Sequence, residues 1–214
     1  MVLLVFYMSD SGSKPGGINR DMVMMVVALT LVTAIAAALL GLTDMVTREP
    51  ILEAQRAALQ RSLGQVLPAH NNEPMDDVIR LQPDENATAF FVARDTKGAV
   101  LALAWEVVAP DGYSGSIRIL MGVLPDGTLH AVRITDHRET PGLGDGITQN
   151  RKWIDFFTAK SLAGTHWAVK KDGGDFDQFT GATITPRAVV KAVHRGLEFF
   201  ATQKEALLAK ASGK

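Results

Sequence analysis

The residues best suited to chemistry lie in one short segment, residues 177–186, which reads DQFTGATITP. Its threonines place three hydroxyl groups around a Gly-Ala pair, and residues this small let a ligand approach the backbone closely. The segment is therefore the first candidate for a ligand-binding site. Its threonines are Thr180, Thr183 and Thr185, and its small pair is Gly181 and Ala182.

The end of this segment has the pattern of a helix start. Thr185 followed by Pro186 matches an N-cap residue and a proline in the first helical position. A hydroxyl oxygen there lies at the positive end of the helix dipole, beside N–H groups that lack helical partners, and a phosphate is favoured at such a place. The same pattern also fits a threonine that only caps the helix. The physical pattern alone leaves both interpretations open.

A second candidate is the glycine-rich loop ETPGLG at residues 139–144, which is either a ligand-binding loop or an ordinary connection. The five histidines are scattered without metal-ligand spacing, so we expect them in solvent or in the core. Asp172, Asp175 and Asp177 lack the Gly and Glu register of a calcium loop. Because no Walker loop or Ser-His-Asp pattern is found either, we expect no metal site and no catalytic residue.

The composition excludes several classes of function. The chain of 214 residues carries 22 Lys+Arg and 23 Asp+Glu, and this balance removes the electrostatic case for binding nucleic acid. It has no cysteine, which excludes a disulfide scaffold, a thiolate zinc site and an iron–sulfur cluster within this chain. With 47% apolar and 21% charged residues, it is expected to fold rather than stay disordered.

A membrane anchor is predicted near the N-terminus. Residues 22–42 carry no charge, and at about 1.5 Å of rise per residue such a helix spans a hydrocarbon core of about 30 Å. The length and the lack of a polar face favour an anchor over a cleaved signal peptide or a buried core helix. We divide the chain into a tail (1–21, with Met8 as a candidate start), a transmembrane helix (22–43) and a domain (44–214). Lys and Arg flank the helix on both sides, so they do not decide its orientation.

The domain is predicted to be α+β, with an antiparallel meander flanked by helices. Alternating or β-branched runs are separated by turns rich in Gly, Pro and Asp, a pattern typical of hairpins rather than of βαβ units. Helical spacing predicts helices both before and after the meander, which gives the α+β class. The four predicted strands of the meander are residues 87–93, 99–108, 116–123 and 128–135.

Further elements complete the predicted domain. An amphipathic helix is expected over residues 47–66, with Thr47 as its N-cap, and a closing helix over about 186–208. A short helix is expected around residues 150–158 and one more strand at 166–170. Aromatic side chains of the short helix are expected in the core, and these are Trp153, Phe156 and Phe157.

The segment at residues 177–185 resembles the flavin-attachment motif of the covalent FMN-binding domain family, without a mismatch at its defining positions. The resemblance implies that FMN is joined through its phosphate to the hydroxyl of Thr185. It also implies a flavin transferase that uses FAD as donor and recognises Asp177. Further cofactor contacts are implied for Thr180, Gly181, Ala182 and Thr183.

The order of anchor, helix, meander, loop and flavin motif is similar to that of the G subunits of Rnf electron-transport complexes, over about residues 20 to 210. The C subunits of sodium-translocating NADH:quinone oxidoreductases share the anchor, the loop and the motif, but the unbroken run KKDGGDFDQ at 170–178 favours the Rnf protein. The loop at 139–144 is expected to border the isoalloxazine ring of FMN. This implies cofactor contacts from Glu139, Thr140, Gly142, Leu143 and Gly144.

The resemblance implies an electron-transfer subunit of an ion-translocating ferredoxin:NAD oxidoreductase, with no turnover of its own. Its expected location is the bacterial inner membrane, crossed once, with the domain on the periplasmic or outer face. Its expected partners are the other membrane and peripheral subunits, and the flavin transferase during maturation. The alternatives are the quinone oxidoreductase subunit and, in another class, a membrane-tethered interaction domain without flavin.

Overall fold

The computed structural model describes residues 20–81 and 88–213. The chain divides into two compact units, with the boundary between Ala54 and Gln55. The predicted tail up to residue 19, with the candidate start at Met8, lies outside the described residues.

The first helix, α1, comprises Arg20–Val66. Its apolar part is long and apolar enough to cross a membrane by length and composition, and none of its most apolar 18-residue window is buried. The prediction of a separate helix beginning at Thr47 is wrong. The Thr47 hydroxyl donates to the backbone C=O of Thr43 at 2.8 Å instead of capping a new helix. Pro50 lies inside the helix, where its missing N–H removes one hydrogen bond without ending the helix.

The predicted meander is confirmed, and it belongs to a five-stranded antiparallel sheet whose strands follow one another in sequence order. Its turns form as their residue types predict: Asp95 Oδ1 accepts hydrogen bonds from the backbone N–H groups of Lys97 and Ala99, both at 2.8 Å. The short first strand was not predicted, because the residues around it lack an alternating pattern. The strands are β1 (Val78–Ile79), β2 (Phe90–Arg94), β3 (Val100–Ala109), β4 (Ile117–Val123) and β5 (Leu129–Asp136).

Alternation along β3 separates two hydrophobic clusters on opposite faces of the sheet. Leu103 and Trp105 belong to the larger cluster, whereas Ala102 and Ala104 belong to the smaller one. The last helix, α4 (Ile184–Ser212), covers the face with the larger residues. The Phe200 ring of α4 stacks on Trp105 with 5.8 Å between the ring centroids. The closing helix is therefore confirmed, and it is longer than predicted.

The C-terminal end of α1 covers the opposite, alanine-rich face. Leu63 and Val66 are buried there. The helix end approaches the sheet so closely that a Cβ atom on Gly122 would lie 1.9 Å from the carbonyl oxygen of Val66. His130 Nδ1 lies 3.0 Å from the same oxygen, which gives this histidine a structural contact. The glycine and the small alanines thus let the helix end pack directly on the strands.

Between the sheet and α4 the chain forms short helices and turns. The short helix predicted around residues 150–158 is α3 (Arg151–Asp155), and a second short helix that was not predicted, α2 (Gly146–Gln149), precedes it. The predicted strand at 166–170 is wrong: Val169 makes an isolated bridge, and a 3₁₀ turn over Lys170–Asp172 interrupts any extension. Trp153 and Phe157 are buried as predicted, whereas Phe156 remains 41% exposed.

The contact between α1 and β4 gives a stability prediction. Gly122→Ala should lower the free energy of unfolding by about 1–3 kcal/mol, because its Cβ must displace the backbone of Val66. Gly64→Ala is the matched control: it lies in α1, its Cβ would meet no atom within 4 Å, and alanine favours helix by about 1 kcal/mol. Thermal unfolding of the detergent-solubilised chain, followed by circular dichroism, should show opposite shifts. A Gly122→Ala protein as stable as the parent would contradict this packing.

Candidate functional site

The site is built from two tight turns that face each other. In the first, the Leu143 N–H donates to the Thr140 carbonyl oxygen at 3.2 Å, with Pro141 second and Gly142 third in the turn. Gly142 has a φ of 77°, so the residues, the hydrogen bond and the positive φ match a type II turn. This turn belongs to the glycine-rich loop singled out in the sequence.

The second turn lies in the threonine-rich segment and has the same pattern. The Ala182 N–H donates to the Phe179 carbonyl oxygen at 3.0 Å, and Gly181, third in the turn, has a φ of 79°. A Cβ atom on Gly181 would lie 3.6 Å from Cδ2 of Leu143, so the two turns are in contact. Glycine is needed in each turn because an L side chain rarely adopts this backbone conformation.

Behind these turns, Glu139 and Thr185 make the central polar contact of the site. The Thr185 hydroxyl donates to Glu139 Oε2 at 2.5 Å. Thr185 has no exposed surface and Glu139 is only 4% exposed. A carboxylate buried to this degree is destabilising unless hydrogen-bond donors surround it. The second carboxylate oxygen, Oε1, accepts the backbone N–H of Ser114 at 3.0 Å.

Two further glycines leave the space that the Glu139 side chain occupies. A Cβ atom on Gly144 would lie 2.7 Å from Glu139 Oε2 and 2.9 Å from the Thr185 hydroxyl oxygen. A Cβ atom on Gly112 would lie 3.0 Å from Glu139 Oε1 and 2.3 Å from the carbonyl oxygen of Gly115. The β3–β4 loop, the glycine-rich loop and α4 therefore converge on one carboxylate.

A pocket of about 330 Å³ opens beside this contact. Its rim carries apolar and aromatic side chains that remain accessible: Tyr113 is 70% exposed, Leu143 48% and Ile184 46%. The residues that line it are Tyr113, Glu139, Thr140, Leu143, Gly144, Gly181, Ala182, Thr183, Ile184 and Thr185.

The pocket brings together most of the predicted site residues. Thr180 and Gly142 line a neighbouring cleft instead, together with residues of α2 and α3. Tyr113 and Ile184 line the pocket but were not predicted. Ile184 could have been found as an apolar residue held between two threonines, whereas the β3–β4 loop carries no signal that places Tyr113 here.

The prediction that Thr185 caps the last helix is wrong. Helix α4 begins at Ile184 with Thr183 in the cap position, so Thr185 is the second helical residue. Its hydroxyl bonds to Glu139 and not to a backbone N–H of the first turn. Pro186 still lies in the first turn, where a missing N–H leaves no helical hydrogen bond unmade. The N–H groups of Ile184 and Thr185 remain among those without intrahelical partners at the positive end of the dipole.

Ion pairs hold the segments around the pocket. The Arg187 guanidinium binds Asp172 at 2.6 and 2.9 Å, and these hydrogen bonds lower the pKa of Asp172. Lys170 Nζ lies 2.7 Å from Asp177 Oδ1 on the surface. The backbone carbonyl oxygen of Asp177 accepts the Trp153 indole N–H at 2.7 Å. Asp177 is thus fixed at its backbone, while its side chain stays 69% exposed.

Comparison with known proteins identifies the family. Residues 112–198 match the model of the FMN-binding domain, and residues 19–66 match that of the RnfG N-terminal region. The G subunit of the ion-translocating oxidoreductase complex of Pseudomonas aeruginosa is 43% identical over 202 residues, covering 89% of this chain and 94% of the relative. The chain belongs to the RnfG family.

Other relatives agree with this assignment. The corresponding G subunit of Cereibacter sphaeroides is 45% identical over 188 residues, covering 85% of each chain. That of Aliivibrio fischeri is 42% identical over 191 residues, covering 84% of this chain and 90% of the relative. The family predicted from the sequence is therefore confirmed. Among solved structures, the crystal structure of Shewanella oneidensis NqrC is 24% identical, with a TM-score of 0.49 over 67% of this chain and 70% of that one.

The pocket of this RnfG family member suits FMN. Its volume lies in the range of about 300–1,000 Å³ that is usual for small-molecule sites. The N-terminus of α4 offers N–H groups to a phosphate, and Thr185 offers a hydroxyl beside it. Tyr113 and Leu143 offer apolar surface to a flat ring system at the rim. Gly144 and Gly181 also line the pocket, and neither carries a side chain that could fill it.

The two turns of the pocket give a second prediction. Gly181→Ala should lower the stability of the domain by about 1–2 kcal/mol, because alanine is strained at a φ of 79° although its Cβ has room beside Leu143. Gly181→Asn should cost less, since asparagine tolerates this conformation. Thermal unfolding of the two variants would measure the difference. Equal losses for both would show that backbone strain is not the cause.

Proposed function

We propose that this chain is the membrane-anchored electron-transfer subunit of an Rnf-type ion-translocating ferredoxin:NAD oxidoreductase, with one FMN bound covalently to Thr185. The observation that carries the proposal is the pocket of the FMN-binding domain, whose wall contains Thr185 beside the N-terminus of α4. Family membership supports the flavin and the complex. The position of the hydroxyl supports the site of attachment.

The phosphate end of the cofactor is expected at Thr185. The hydroxyl lies in the first turn of a helix of 29 residues, where the dipole and the N–H groups of Ile184 and Thr185 favour a phosphodiester. Thr183, in the cap position, offers a second hydroxyl at the same end of the pocket. A covalent bond suits a carrier that works outside the cytoplasm, because a lost cofactor could not be replaced from the cytoplasmic FMN pool.

Asp177 is expected to be the residue that the flavin transferase recognises. Its carboxylate is 69% exposed, and the surface pair with Lys170 is of a kind that contributes little to stability. Another protein can therefore replace Lys170 as its partner without disturbing the core. The backbone of Asp177 is held by Trp153, so the recognition point keeps a fixed position relative to the pocket.

FMN, when bound, would supply the redox chemistry of the subunit by taking up and passing on electrons. The chain would hold and orient it: the glycine-rich loop and the β3–β4 loop form one wall of the pocket, and the turn at residues 179–182 forms the other. Exposed Tyr113, Leu143 and Ile184 place the rim at the protein surface, where electron partners have access. These partners are the other membrane and peripheral subunits of the complex.

Helix α1 is proposed as a single-pass anchor in the bacterial inner membrane, with the domain on the periplasmic or outer face. Its apolar segment, residues 22–42, carries no charged side chain and is long enough to cross a membrane. We retain the division into an anchor at residues 22–43 and a domain from residue 44, with the helix itself continuing across that boundary. The orientation follows from the site of flavin attachment, which is expected outside the cytoplasm.

The attachment site can be tested by substitution. Thr185→Val should abolish flavin fluorescence that survives denaturing electrophoresis, and the intact mass should equal that of the unmodified chain. Thr183→Val is the matched control, because it removes a neighbouring hydroxyl and should leave fluorescence in place. Thr185→Ser should retain attachment and the hydrogen bond to Glu139, whereas valine should also cost about 1–3 kcal/mol of stability by removing a donor from a buried carboxylate.

The result also separates the proposal from a tethered interaction domain, which would carry no flavin. A parent chain with unmodified mass after co-expression with the transferase would contradict covalent FMN. Fluorescence that persists in Thr185→Val would place the bond on another residue.

The orientation gives a further prediction. A reporter that is active only in the periplasm should work when fused after Lys214, and a reporter active only in the cytoplasm should fail there. The reason is that the domain must meet the flavin transferase, which is expected to act outside the cytoplasm. The opposite pattern would reverse the proposed orientation, which the Lys and Arg residues flanking the anchor do not fix.

A further inference from the structure

Glu139 and Thr185 are the buried polar residues in the described part of the chain, residues 20–81 and 88–213. They bond to each other across 2.5 Å, although 46 residues separate them in sequence. This distance lies at the short end of the range for a hydroxyl that donates to a carboxylate, about 2.5–2.7 Å. The hydroxyl proton of Thr185 is therefore already directed at a basic oxygen.

The arrangement fixes which carboxylate oxygen is available. Oε1 is held by the backbone N–H of Ser114 at 3.0 Å, and Oε2 faces Thr185. The backbone N–H of Glu139 in turn donates to His137 Nδ1 at 3.2 Å. This hydrogen bond restrains the backbone of Glu139, which directly precedes the turn at residues 140–143. Gly144 has no Cβ that could push the two side chains apart. Each contact positions the carboxylate for the threonine hydroxyl.

We propose that Glu139 is the general base for flavin attachment: its Oε2 removes the proton of Thr185 Oγ1 as that oxygen attacks phosphorus. This inference rests on the proposed attachment at Thr185. It means that this chain, which accepts the flavin, also supplies the base for the reaction. An alcohol is a weak nucleophile until a base within hydrogen-bond reach takes its proton, and Glu139 is within reach before any other protein binds.

The step balances with a flavin dinucleotide as donor. The bond from Thr185 Oγ1 to the FMN phosphorus forms, and the bond from that phosphorus to the bridging oxygen breaks. AMP leaves with the electron pair of the broken bond, and the threonine proton passes to Glu139. Nothing is oxidised or reduced.

Charge balance favours the same assignment. A phosphodiester on Thr185 brings a negative charge next to Oε2, and two like charges at this distance in a buried site repel each other strongly. Proton transfer to Glu139 removes the carboxylate charge at the moment the phosphodiester charge arrives. Because Thr185 is fully buried, attachment also needs a local movement of the pocket wall. Glu139 is hydrogen-bonded to the Thr185 hydroxyl and would move together with it, so the transferase need not supply the base.

The test measures the rate of attachment on the full chain, purified in detergent without flavin and incubated with flavin transferase and FAD. Glu139→Gln keeps the shape and an acceptor oxygen but cannot take a proton. Its turnover rate should fall about 100-fold or more, the usual contribution of a general base, while the KM for the acceptor chain stays unchanged. Glu139→Asp should restore a large part of the rate. Fluorescence after denaturing electrophoresis and intact mass provide the readouts.

The matched control is Glu106→Gln. Glu106 is a second glutamate that accepts a threonine hydroxyl, that of Thr135 at 3.2 Å, but it lies on the sheet and outside the pocket. Its rate should equal that of the parent. Gly144→Ala provides an independent disturbance, because its Cβ would separate Glu139 from Thr185 and leave both groups present. This variant should label at least about tenfold more slowly than the parent, as a misplaced base would.

The outcomes distinguish the two proposals. Labelling that persists in Thr185→Val overturns the attachment site and the role of Glu139 with it. A second outcome overturns the role of Glu139 alone. In it, Thr185→Val loses labelling, but folded Glu139→Gln is labelled at a rate within about tenfold of the parent rate. If Glu139→Gln does not unfold cooperatively, Gly144→Ala decides, and a parent-like rate in that variant overturns the inference.

Discussion

The hydrogen bond between Thr185 and Glu139 is the contact on which the organisation of the site depends. A buried carboxylate must be surrounded by donors, and here one donor comes from α4 and the other from the backbone of Ser114. The hydrogen bonds of the Glu139 carboxylate therefore connect the β3–β4 loop, the glycine-rich loop and the last helix. The pocket lies where these three segments meet, and its shape follows from that requirement.

Missing side chains make this convergence possible. Gly112 and Gly144 leave room for the two carboxylate oxygens, while Gly142 and Gly181 allow the turns that bring Leu143 against the threonine-rich segment. On the far side of the sheet, Gly122 has the same function for the end of α1. The fold thus uses glycine less for flexibility than for close approach, because at these places a Cβ atom would meet a neighbour closer than ordinary contact or force a strained backbone.

Local signals predicted the meander and the closing helix, since alternation and turn residues act within a few positions. The same signals failed where a residue's partner is distant in sequence. Thr185 followed by Pro186 is a local start pattern, yet the hydroxyl bonds to Glu139, 46 residues away, and the helix begins two residues earlier, at Ile184. The prediction at Thr47 failed for a different reason: its hydroxyl bonds to the nearby backbone C=O of Thr43, within a helix that continues through this residue. Most residues that line the pocket were recognisable from the motif and the glycine-rich loop, but Tyr113, Ile184 and the glutamate–threonine contact required the fold.

The proposed function divides two requirements between opposite ends of one pocket. A carrier must retain its cofactor and also expose it to electron partners, and a pocket that encloses the ring fully would satisfy the first at the expense of the second. Here the polar end is fully buried at Thr185, whereas the rim residues Tyr113, Leu143 and Ile184 remain 46–70% exposed. A covalent bond at the buried end removes the need for deep enclosure at the other. The open rim is therefore consistent with an FMN that is retained by its covalent bond and not by burial of its ring. It also leaves the ring end accessible to the neighbouring subunits.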